Sequence, residues 1–325
     1  MNRNIAAGTL CSALVVSLVS AAAFAAGTMK AGVITDGTIK VESLPIPEPG
    51  AGQVRVKVRA VSVNPVDWKI AARAAPGTKQ IAGRDMAGVI DAVGEGSAPF
   101  KVGDEIIGIA QGGSYAEYVL ASTKAIAIKP KQMSFDESAG LPVVAETAYR
   151  AMVTVGNVQK GQRVLIHGGA GGVGSMAVQI AKARGAYVIA TASARNHDFL
   201  RSLGADETID YTTTRFEDKV KNVDVVLNTA DAETNVRSVS VLKPDGLLVS
   251  IVGPPPADAC AAAKVRCAVT GSVNGEMLSK VVELADEGKL KISIEKRMPM
   301  SEAAKAWEMN RAGHTRGKII LDVSS

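Results

Sequence analysis

The stretch from residue 163 to residue 191, RVLIHGGAGGVGSMAVQIAKARGAYVIAT, constrains the fold of this chain more than any other part. Arg163–His167 is an apolar run with β-branched residues, which predicts a buried strand. A glycine-rich turn follows, and from Ser175 the apolar residues take a helical spacing that Gly185 is placed to end. Tyr187–Thr191 predicts a second strand. The stretch therefore predicts a strand, a glycine turn, a helix and a second strand in succession.

The glycine turn contains the pattern G-x-G-x-x-G as Gly169, Gly171 and Gly174. In a dinucleotide site one such glycine permits the tight turn, one lets the backbone approach the pyrophosphate, and one allows helix and strand to pack closely. The helix N-terminus then presents free N–H groups to the phosphates. A plain crossover with a loose loop is the alternative, but the strand before the turn and the helix after it favour dinucleotide binding.

The residues after the second strand decide which dinucleotide is bound. An NAD site usually has an Asp or Glu about twenty residues past the glycines, where it holds the ribose 2′-OH. This chain reads TASARN at residues 191–196 and has no acid before Asp198. Ser193 and Arg195 can instead hold a 2′-phosphate, as a hydrogen-bond donor and a fixed cation. A solvated loop with an incidental arginine is the alternative; the missing acid favours NADP, bound as NADPH.

Composition bounds the size and the partners of the protein. The 325 residues suggest two domains, and a hydrophobic content of 47% suffices for their cores. A net charge of +5 suits an anionic ligand, but the Lys and Arg residues are scattered along the chain. Only 4% of residues are aromatic, so the chain has no platform on which bases could stack. We therefore expect no nucleic-acid partner.

The first residues form a segment of a different kind. Arg3 is followed by an apolar stretch, Ile5–Val19, and by Ala23-Phe24-Ala25, which has the small-x-small pattern of a cleavage site. This series predicts a signal peptide over residues 1–25, no stable membrane span after processing, and a periplasmic or secreted protein. Translation from Met29, which would leave the protein in the cytoplasm, is the alternative.

Cys260 and Cys267 are the cysteines that remain once the leader is removed, since Cys11 lies within it. An exported protein can join such a pair in a disulfide. The alternative is two free, half-buried thiols. We expect the free thiols slightly more than the disulfide.

Residues 29–150 are rich in strands and turns. Val54–Val63 alternates apolar and polar residues as a half-exposed strand does, and Gly88–Val93 and Glu105–Ile109 predict further short strands. A helix over Glu137–Met152 is expected to lead out of this region. The region therefore predicts a small, mostly antiparallel β-domain.

Strands and helices alternate after residue 151, which predicts a parallel sheet with helices on both faces. The tail is expected to return and complete the first domain. The predicted fold class is α/β, a doubly wound parallel sheet of the Rossmann type with a mostly antiparallel β-domain. The elements expected beyond the glycine turn are helices over 196–203, 233–242, 275–288 and 301–312 and strands over 207–211, 223–230, 246–253 and 318–323.

Several segments, spread nearly end to end after residue 28, carry a family resemblance. They are AVSVNPVDWK (60–69), GRDMAGVIDAVG (83–94), FKVGDEIIG (100–108), GGSYAEYV (112–119), HGGAGGVG (167–174), LGADETIDY (203–211) and HTRGKIILDV (314–323). The chain resembles the zinc-free medium-chain dehydrogenase/reductases, in the quinone oxidoreductase branch that includes zeta-crystallin and enone reductases. The resemblance implies a GroES-like domain over 29–150, completed by 290–325, and a Rossmann NADP-binding domain over 151–289. Relatives are commonly dimers, so a homodimer is expected.

The departures from zinc-dependent relatives predict that no metal is bound. Alcohol dehydrogenases with zinc place a cysteine where this chain has Asn64-Pro65, and Gly-His-Glu where it has Gly83-Arg84-Asp85. The scattered His and Cys residues do not supply the three or four converging ligands that zinc needs. His167 is expected to pack in the core at the cofactor strand.

The missing zinc also bears on the substrate. Without zinc, a carbonyl is not easily polarised for exchange between an alcohol and a ketone. Quinones and alkenes conjugated to a carbonyl are already electron-poor, and the resemblance implies NADPH-dependent reduction of a quinone, enone or enal. A nucleotide-binding protein without turnover is the alternative, because zeta-crystallins serve as bulk proteins.

The resemblance further implies roles for particular residues. Asn64 and Lys69 fall where zinc-free relatives line the substrate pocket, and we expect the Asn64 amide to donate to the substrate oxygen and a buried Lys69 to act as an acid. The alternatives are that Asn64 only holds the turn before Pro65 and that Lys69 is a solvated helix lysine. Tyr211 matches a tyrosine along the adenosine, and Gly253 would border the nicotinamide. The expected cofactor-binding residues are Thr147, Gly169, Gly171, Gly172, Val173, Gly174, Ser193, Arg195, Tyr211 and Gly253.

Overall fold

The structure, a computed structural model, describes residues 27–323. The predicted signal peptide, residues 1–25, lies outside the described residues. Within the described part of the chain, no helix is long and apolar enough to cross a membrane. The strands of residues 27–323 form one parallel sheet and two further sheets that are mainly antiparallel.

The N-terminal domain is built of short strands joined by tight turns. Its elements are strands β1 (Thr28–Thr35), β2 (Thr38–Pro45), β3 (Gln53–Ser62), β4 (Gln80–Ile81), β5 (Asp85–Val93), β6 (Glu105–Ile109), β7 (Tyr118–Ser122) and β8 (Ile126–Ile128) and helices α1 (Pro65–Ala71) and α2 (Phe135–Ala139). In β3, Val54, Val56 and Val58 are buried while Lys57 is exposed, as the alternating sequence predicts. β3 pairs antiparallel with β5 and with β7. It is therefore a central strand of this domain.

The helix expected over Glu137–Met152 is interrupted. α2 ends at Ala139, and a new helix, α3 (Pro142–Tyr149), continues as a π-helical segment over Arg150–Val155. Pro142 has no N–H to donate back to a preceding turn, so it suits the first position of a helix and not the interior of a longer one.

The second domain is a Rossmann sheet. Its elements are β9 (Arg163–His167), α4 (Gly172–Ala183), β10 (Tyr187–Ala192), α5 (His197–Ser202), β11 (Glu207–Asp210), β12 (Val223–Asn228), α6 (Ala232–Ser238), β13 (Leu242–Ser250), α7 (Ala257–Ala262), β14 (Arg266–Val269) and α8 (Leu278–Asp286). The strands are parallel, in the order β11-β10-β9-β12-β13-β14. The strand order therefore reverses direction between β9 and β12, which is where a doubly wound sheet binds its ligand. The predicted fold class is confirmed, whereas α7 and β14 were not predicted.

The tail returns to the first domain. After β15 (Ile294–Pro299) and α9 (Ala303–Arg311), β16 (Lys318–Asp322) lies between β15 and β3 in a sheet of order β15-β16-β3-β5-β6-β8. Burial of its apolar residues, Ile319, Ile320 and Leu321, holds it there. Gly317, just before β16, forms a β-bridge with Gly171 of the glycine turn. The tail therefore connects the two domains beside the predicted cofactor site.

The two cysteines of the Rossmann domain form a disulfide, so the expectation of free thiols is wrong. Cys260 lies in α7 and Cys267 in β14. Their Cα atoms are 6.3 Å apart, within the range that a disulfide spans. The chain turns directly from α7 into β14, and this local geometry brings the two sulfurs together.

Candidate active site

A cleft with a volume of ≈ 510 Å³ lies between the two domains, at the carboxyl ends of β9, β10 and β12. The Rossmann domain supplies the glycine turn and the residues that follow these strands. The other domain supplies Val63, Asn64 and Pro65, and the tail supplies several residues that include Gly317 and Lys318. Neither domain forms this cleft alone.

α4 begins at Gly172, three residues before the predicted start at Ser175. Gly171 is the N-terminal flanking residue, and its extended backbone (φ −74°, ψ 176°) turns the chain into the helix. Gly171, Gly172 and Val173 all line the cleft. The free N–H groups and the positive end of a helix of 12 residues therefore face the space where a pyrophosphate is expected.

The three glycines of the G-x-G-x-x-G pattern differ in the space around them: two are closely packed, and one has open space beside its Cα. A Cβ atom on Gly174 would lie 2.2 Å from the backbone oxygen of Gly168, and one on Gly169 would lie 3.0 Å from a side chain of β10. A Cβ on Gly171 would meet nothing closer than 3.4 Å. The left-handed turn residue is Gly168 (φ 67°), which precedes the fingerprint. Gly169 and Gly174 thus permit close packing, and Gly171 leaves room for a ligand.

Ser193, Arg195 and Tyr211 line another part of the cleft, after β10 and β11. The Arg195 guanidinium is exposed, and its Nη2 donates to the backbone oxygen of His314 at 3.1 Å. Asp198, the first acid after β10, is 99% exposed and pairs with a neighbouring arginine on α5. The part of the cleft expected to hold the ribose thus has a cation and a hydroxyl, and Asp198 is not among its lining residues.

His167 ends β9 at the floor of the cleft and is buried. The Ser238 hydroxyl donates to the backbone oxygen of Thr234 at 2.6 Å, so in the 3.1 Å contact between Ser238 and His167 the ring Nε2 is the donor. The ring Nδ1 then accepts from the Thr191 hydroxyl at 3.2 Å. Burial lowers the pKa of His167 to about 3, and the neutral ring packs in the core as expected.

Asn64 lies at the start of α1 and borders the cleft from the first domain. Its Nδ2 donates to Asp85 Oδ2 at 2.8 Å and points its other hydrogen toward the Ser62 carbonyl, 3.5 Å away. Its Oδ1 accepts from the ammonium of Lys318 at 2.6 Å. The amide is therefore used within the protein, and the expectation that it donates to a substrate oxygen does not fit. The alternative, that it holds the turn before Pro65, does.

Lys318 is a residue of the cleft that the sequence analysis did not single out. It is 3% exposed, yet it lines the cleft. Its ammonium donates to the backbone oxygen of Val63 at 2.9 Å as well as to Asn64, and it lies 3.6 Å from Asp85 Oδ2. Burial lowers the pKa of Lys318, while the carboxylates of Asp85 and Asp67 act to raise it. The available signal was a lysine that opens a strand and is followed by three apolar residues.

Asp85 is anchored behind this lysine. Its Oδ2 accepts from the Ser62 hydroxyl at 2.7 Å and from Asn64, and its Oδ1 accepts from the Val143 N–H at 2.9 Å. It is fully buried and is not among the residues that line the cleft. The pair of Lys318 and Asp85 therefore presents its positive end to the cleft.

Asp67 is a second buried carboxyl in this region. Its Oδ2 accepts from the Asn64 N–H at 2.8 Å and from the Tyr115 hydroxyl at 3.0 Å. Its Oδ1 has no hydrogen-bond partner among residues 27–323. Burial raises the pKa of Asp67 to about 7, so near neutral pH it is only partly ionised.

Five of the expected site residues do not line the cleft: Gly169 and Gly174, which are packed within the turn, and Lys69, Thr147 and Gly253. Lys69 is exposed on α1, and its ammonium lies 5.4 Å from the centroid of the Trp68 ring. The expected role as an acid required a buried lysine, so Lys69 fits the alternative of a solvated helix lysine. The Thr147 hydroxyl donates to the Val143 carbonyl within α3 at 2.6 Å. Gly253 lies beyond the end of β13. The structure gives these residues no contact with the space for a ligand.

The positions that hold zinc ligands in the alcohol dehydrogenases are occupied differently here. Asn64 binds Lys318, and the Arg84 guanidinium donates to the Val273 carbonyl at 2.8 Å. Across residues 27–323, no three His, Cys, Asp or Glu side chains are grouped in a way that would hold a metal ion.

Comparison with known proteins places the chain in a family. The model of the alcohol dehydrogenase GroES-like domain matches residues 50–131, and that of the zinc-binding dehydrogenase matches residues 203–321. Quinone-oxidoreductase QR1 of Triphysaria versicolor is 36% identical over 312 residues, which cover 87% of this chain and 94% of that protein. The chain belongs to the quinone oxidoreductase branch of the medium-chain dehydrogenase/reductases.

Two further comparisons support this family assignment. The NADPH-dependent alkenal/one oxidoreductase of Arabidopsis thaliana is 35% identical over 316 residues, which cover 90% of this chain and 79% of that protein. The structure of the quinone oxidoreductase from Coxiella burnetii superposes with a TM-score of 0.82 at 33% identity, and the match covers 91% of this chain and 99% of that one. The resemblance drawn from the sequence segments is confirmed, and this member of the branch is an oxidoreductase with a nicotinamide cofactor.

Proposed function

We propose that this member of the quinone oxidoreductase branch uses NADPH to reduce quinones or α,β-unsaturated carbonyls, without a metal. One observation carries the proposal. One cleft is lined by the glycine turn, by Arg195 at the position where NAD sites usually have an acid, and by Lys318 of a buried polar cluster. The names of the relatives, a quinone oxidoreductase and an NADPH-dependent alkenal/one oxidoreductase, support the same chemistry.

The Rossmann domain, residues 151–289, is proposed to hold the cofactor. The turn from Gly171 to Val173 would take the pyrophosphate, and Ser193 and Arg195 would take the 2′-phosphate. Tyr211, which is 56% exposed at the edge of the cleft, would lie against the adenosine. When bound, the cofactor supplies the hydride.

The other domain, residues 29–150 with 290–325, is proposed to hold the acceptor. Val63, Pro65 and Val144 of this domain and Ile251 of the Rossmann domain line the cleft with apolar groups, which suits a flat, apolar acceptor. Electron-poor quinones and enones accept hydride without a Lewis acid, so the protein needs to align the two reactants, exclude water and stabilise charge on the acceptor oxygen.

The compartment and assembly are proposed on separate grounds. The disulfide between Cys260 and Cys267 supports an oxidising compartment, and the leader pattern of residues 1–25 supports export to the periplasm or medium. A homodimer is proposed from the family alone.

The decisive experiment is a test of turnover. The chain beginning at Met29 would be assayed for oxidation of NADPH and of NADH with a panel of quinones, enones, enals and simple ketones. Turnover of quinones or enones with NADPH, at rates at least about tenfold above those with simple ketones, supports the proposal. Cofactor binding without turnover of any acceptor would instead establish a nucleotide-binding protein.

A further inference from the structure

We propose that Lys318 is a catalytic residue of this reductase. Its ammonium group donates a hydrogen bond to the carbonyl or quinone oxygen of the acceptor and stabilises the negative charge that forms there. The reaction assigned to Lys318 rests on the proposed function. The contacts that place Lys318 at the cleft are those of the structure and do not depend on that function.

The hydrogen bonds of Lys318 leave one N–H for a ligand. A lysine ammonium has three donors. One donates to Val63 O at 2.9 Å and a second to Asn64 Oδ1 at 2.6 Å. Asp85 Oδ2 lies 3.6 Å from the ammonium nitrogen, which is longer than a hydrogen bond. Asp85 already receives hydrogen bonds from three other donors. Among the described residues, the third N–H therefore has no acceptor within hydrogen-bond distance, and Lys318 itself lines the cleft.

Lys318 also lies where the cofactor and the acceptor are expected to meet. Its side-chain stem packs against the glycine turn, because a Cβ on Gly172 would lie 3.2 Å from Lys318 Cδ. Its ammonium reaches from there to Asn64 and Val63 in the other domain. The side chain thus spans the gap between the phosphate site and the apolar wall, held by groups on both sides.

The surrounding charges orient the lysine for this role. The ionisable groups that face it are Asp85 on β5 and Asp67 on α1, of which Asp67 is only partly ionised near neutral pH. Neither carboxyl lines the cleft, whereas Lys318 does. A fixed and buried positive charge stabilises a developing oxyanion without first reorganising solvent. The other residues expected to serve the acceptor do not compete, because the Asn64 amide is engaged and Lys69 is exposed.

The reaction step balances without a further reagent. An enone accepts the hydride at its β-carbon, and the electron pair of its C=C bond moves toward the carbonyl oxygen. The resulting enolate oxygen is held by the third N–H of Lys318. The α-carbon then takes a proton from water, so one enone, one NADPH and one proton yield the saturated carbonyl and NADP⁺.

The first arm of the test measures turnover. Lys318→Met removes the charge and keeps most of the buried stem, while Lys296→Met removes an exposed lysine on the neighbouring strand β15 as a matched control. We expect Lys318→Met to lower kcat with quinones and enones at least about 100-fold, as the loss of an oxyanion donor does, with the Kd for NADPH unchanged within threefold. Lys296→Met should match the parent.

The second arm needs no turnover. With NADP⁺ saturating, the absorbance of 4-nitrophenol reports binding of its anion, which resembles the charged oxygen, and 4-nitroanisole serves as the neutral control ligand. The parent should bind the phenolate at least about tenfold more tightly than the neutral phenol. Lys318→Met should lose this preference and keep its affinity for 4-nitroanisole.

A chemical rescue covers the case in which Lys318→Met fails to fold. Cys260 and Cys267 form a disulfide, so Lys318→Cys in the chain from Met29 carries the one free thiol. Alkylation of that thiol with 2-bromoethylamine in mild urea, followed by refolding, restores an amine of nearly the original length. The aminoethylated protein should regain the phenolate preference and at least about tenfold in kcat over the unmodified variant.

The outcomes separate this proposal from the proposed function. Parent-like kcat and phenolate preference in Lys318→Met overturn the role of Lys318 and leave the reductase function standing. A loss confined to NADPH affinity assigns Lys318 to the cofactor and also overturns the proposal. A parent that turns over no acceptor defeats the proposed function, while its phenolate preference still decides whether Lys318 serves an oxyanion.

Discussion

Replacement of Arg195 by alanine should weaken the binding of NADPH and leave that of NADH almost unchanged. The two cofactors differ only in the 2′-phosphate. Arg195 lines the cleft after β10 and makes one other hydrogen bond in the structure, to the carbonyl of His314. Its guanidinium is therefore free to turn toward a phosphate at little cost.

The size of the effect follows from the exposure of this side chain. A hydrogen bond to a charged group contributes about 1.5–3 kcal/mol, which corresponds to roughly 10- to 150-fold in affinity. Solvent screens an exposed pair, so the lower part of that range applies, about 10- to 30-fold. Arg195→Lys, which keeps the charge but loses the planar fork, should lie between the parent and Arg195→Ala.

Equilibrium titration of cofactor fluorescence at two salt concentrations would measure both dissociation constants. Arg316→Ala is the matched control: its guanidinium stacks 5.5 Å from the ring centroid of Phe199 and does not line the cleft, yet its loss changes the net charge equally. It should leave the ratio of NADPH to NADH affinity at the parent value. An equal loss of both cofactors in Arg195→Ala would falsify the assignment of the 2′-phosphate site.

Four further predictions test other parts of the structure. Gly174→Ala places a Cβ 2.2 Å from a backbone oxygen and should lower the melting temperature by several degrees. Gly171→Ala should keep the melting temperature and weaken NADPH binding. Thermal melts and cofactor titrations of both variants check these outcomes. Asp67 has a folded pKa of about 7 against an ordinary 3.8, so its contribution to stability is fully present below pH 3.8 and about 4 kcal/mol of it is lost as the pH rises to 7. Asp67→Asn should remove that loss. The free energy of unfolding would be measured against pH for both proteins by denaturant titration, and the difference between the two profiles cancels the opposite trend from His167. Elemental analysis should find no stoichiometric zinc, and chelators should leave activity intact; one zinc per chain would contradict the metal-free site. N-terminal sequencing of protein from the native host should begin near Ala26, and recovery of intact Met1 would rule out processing.

The sequence by itself determined the fold class and several individual strands. The strand Arg163–His167 begins and ends as predicted, because its apolar run is bounded by turn residues and packs in the core. The alternation in β3 likewise fixed which of its side chains face inward. These signals are local, since each depends on residues within one element or one turn. The helix start at Gly172 was missed because helical spacing is carried by apolar side chains, and the two glycines of the first turn, Gly172 and Gly174, have none.

The acceptor side was decided by tertiary structure. Lys318 and Asn64 are separated by 254 residues along the chain, and their 2.6 Å contact exists because β16 returns to pair with β3. The same return buries Lys318 and commits the Asn64 amide to protein partners, while α1 leaves Lys69 in solvent. A residue type indicates which chemistry is available, but the burial of a side chain and its hydrogen-bond partners are properties of the packed fold. For that reason the sequence pointed to the turn at Asn64 and missed the lysine that faces the cleft.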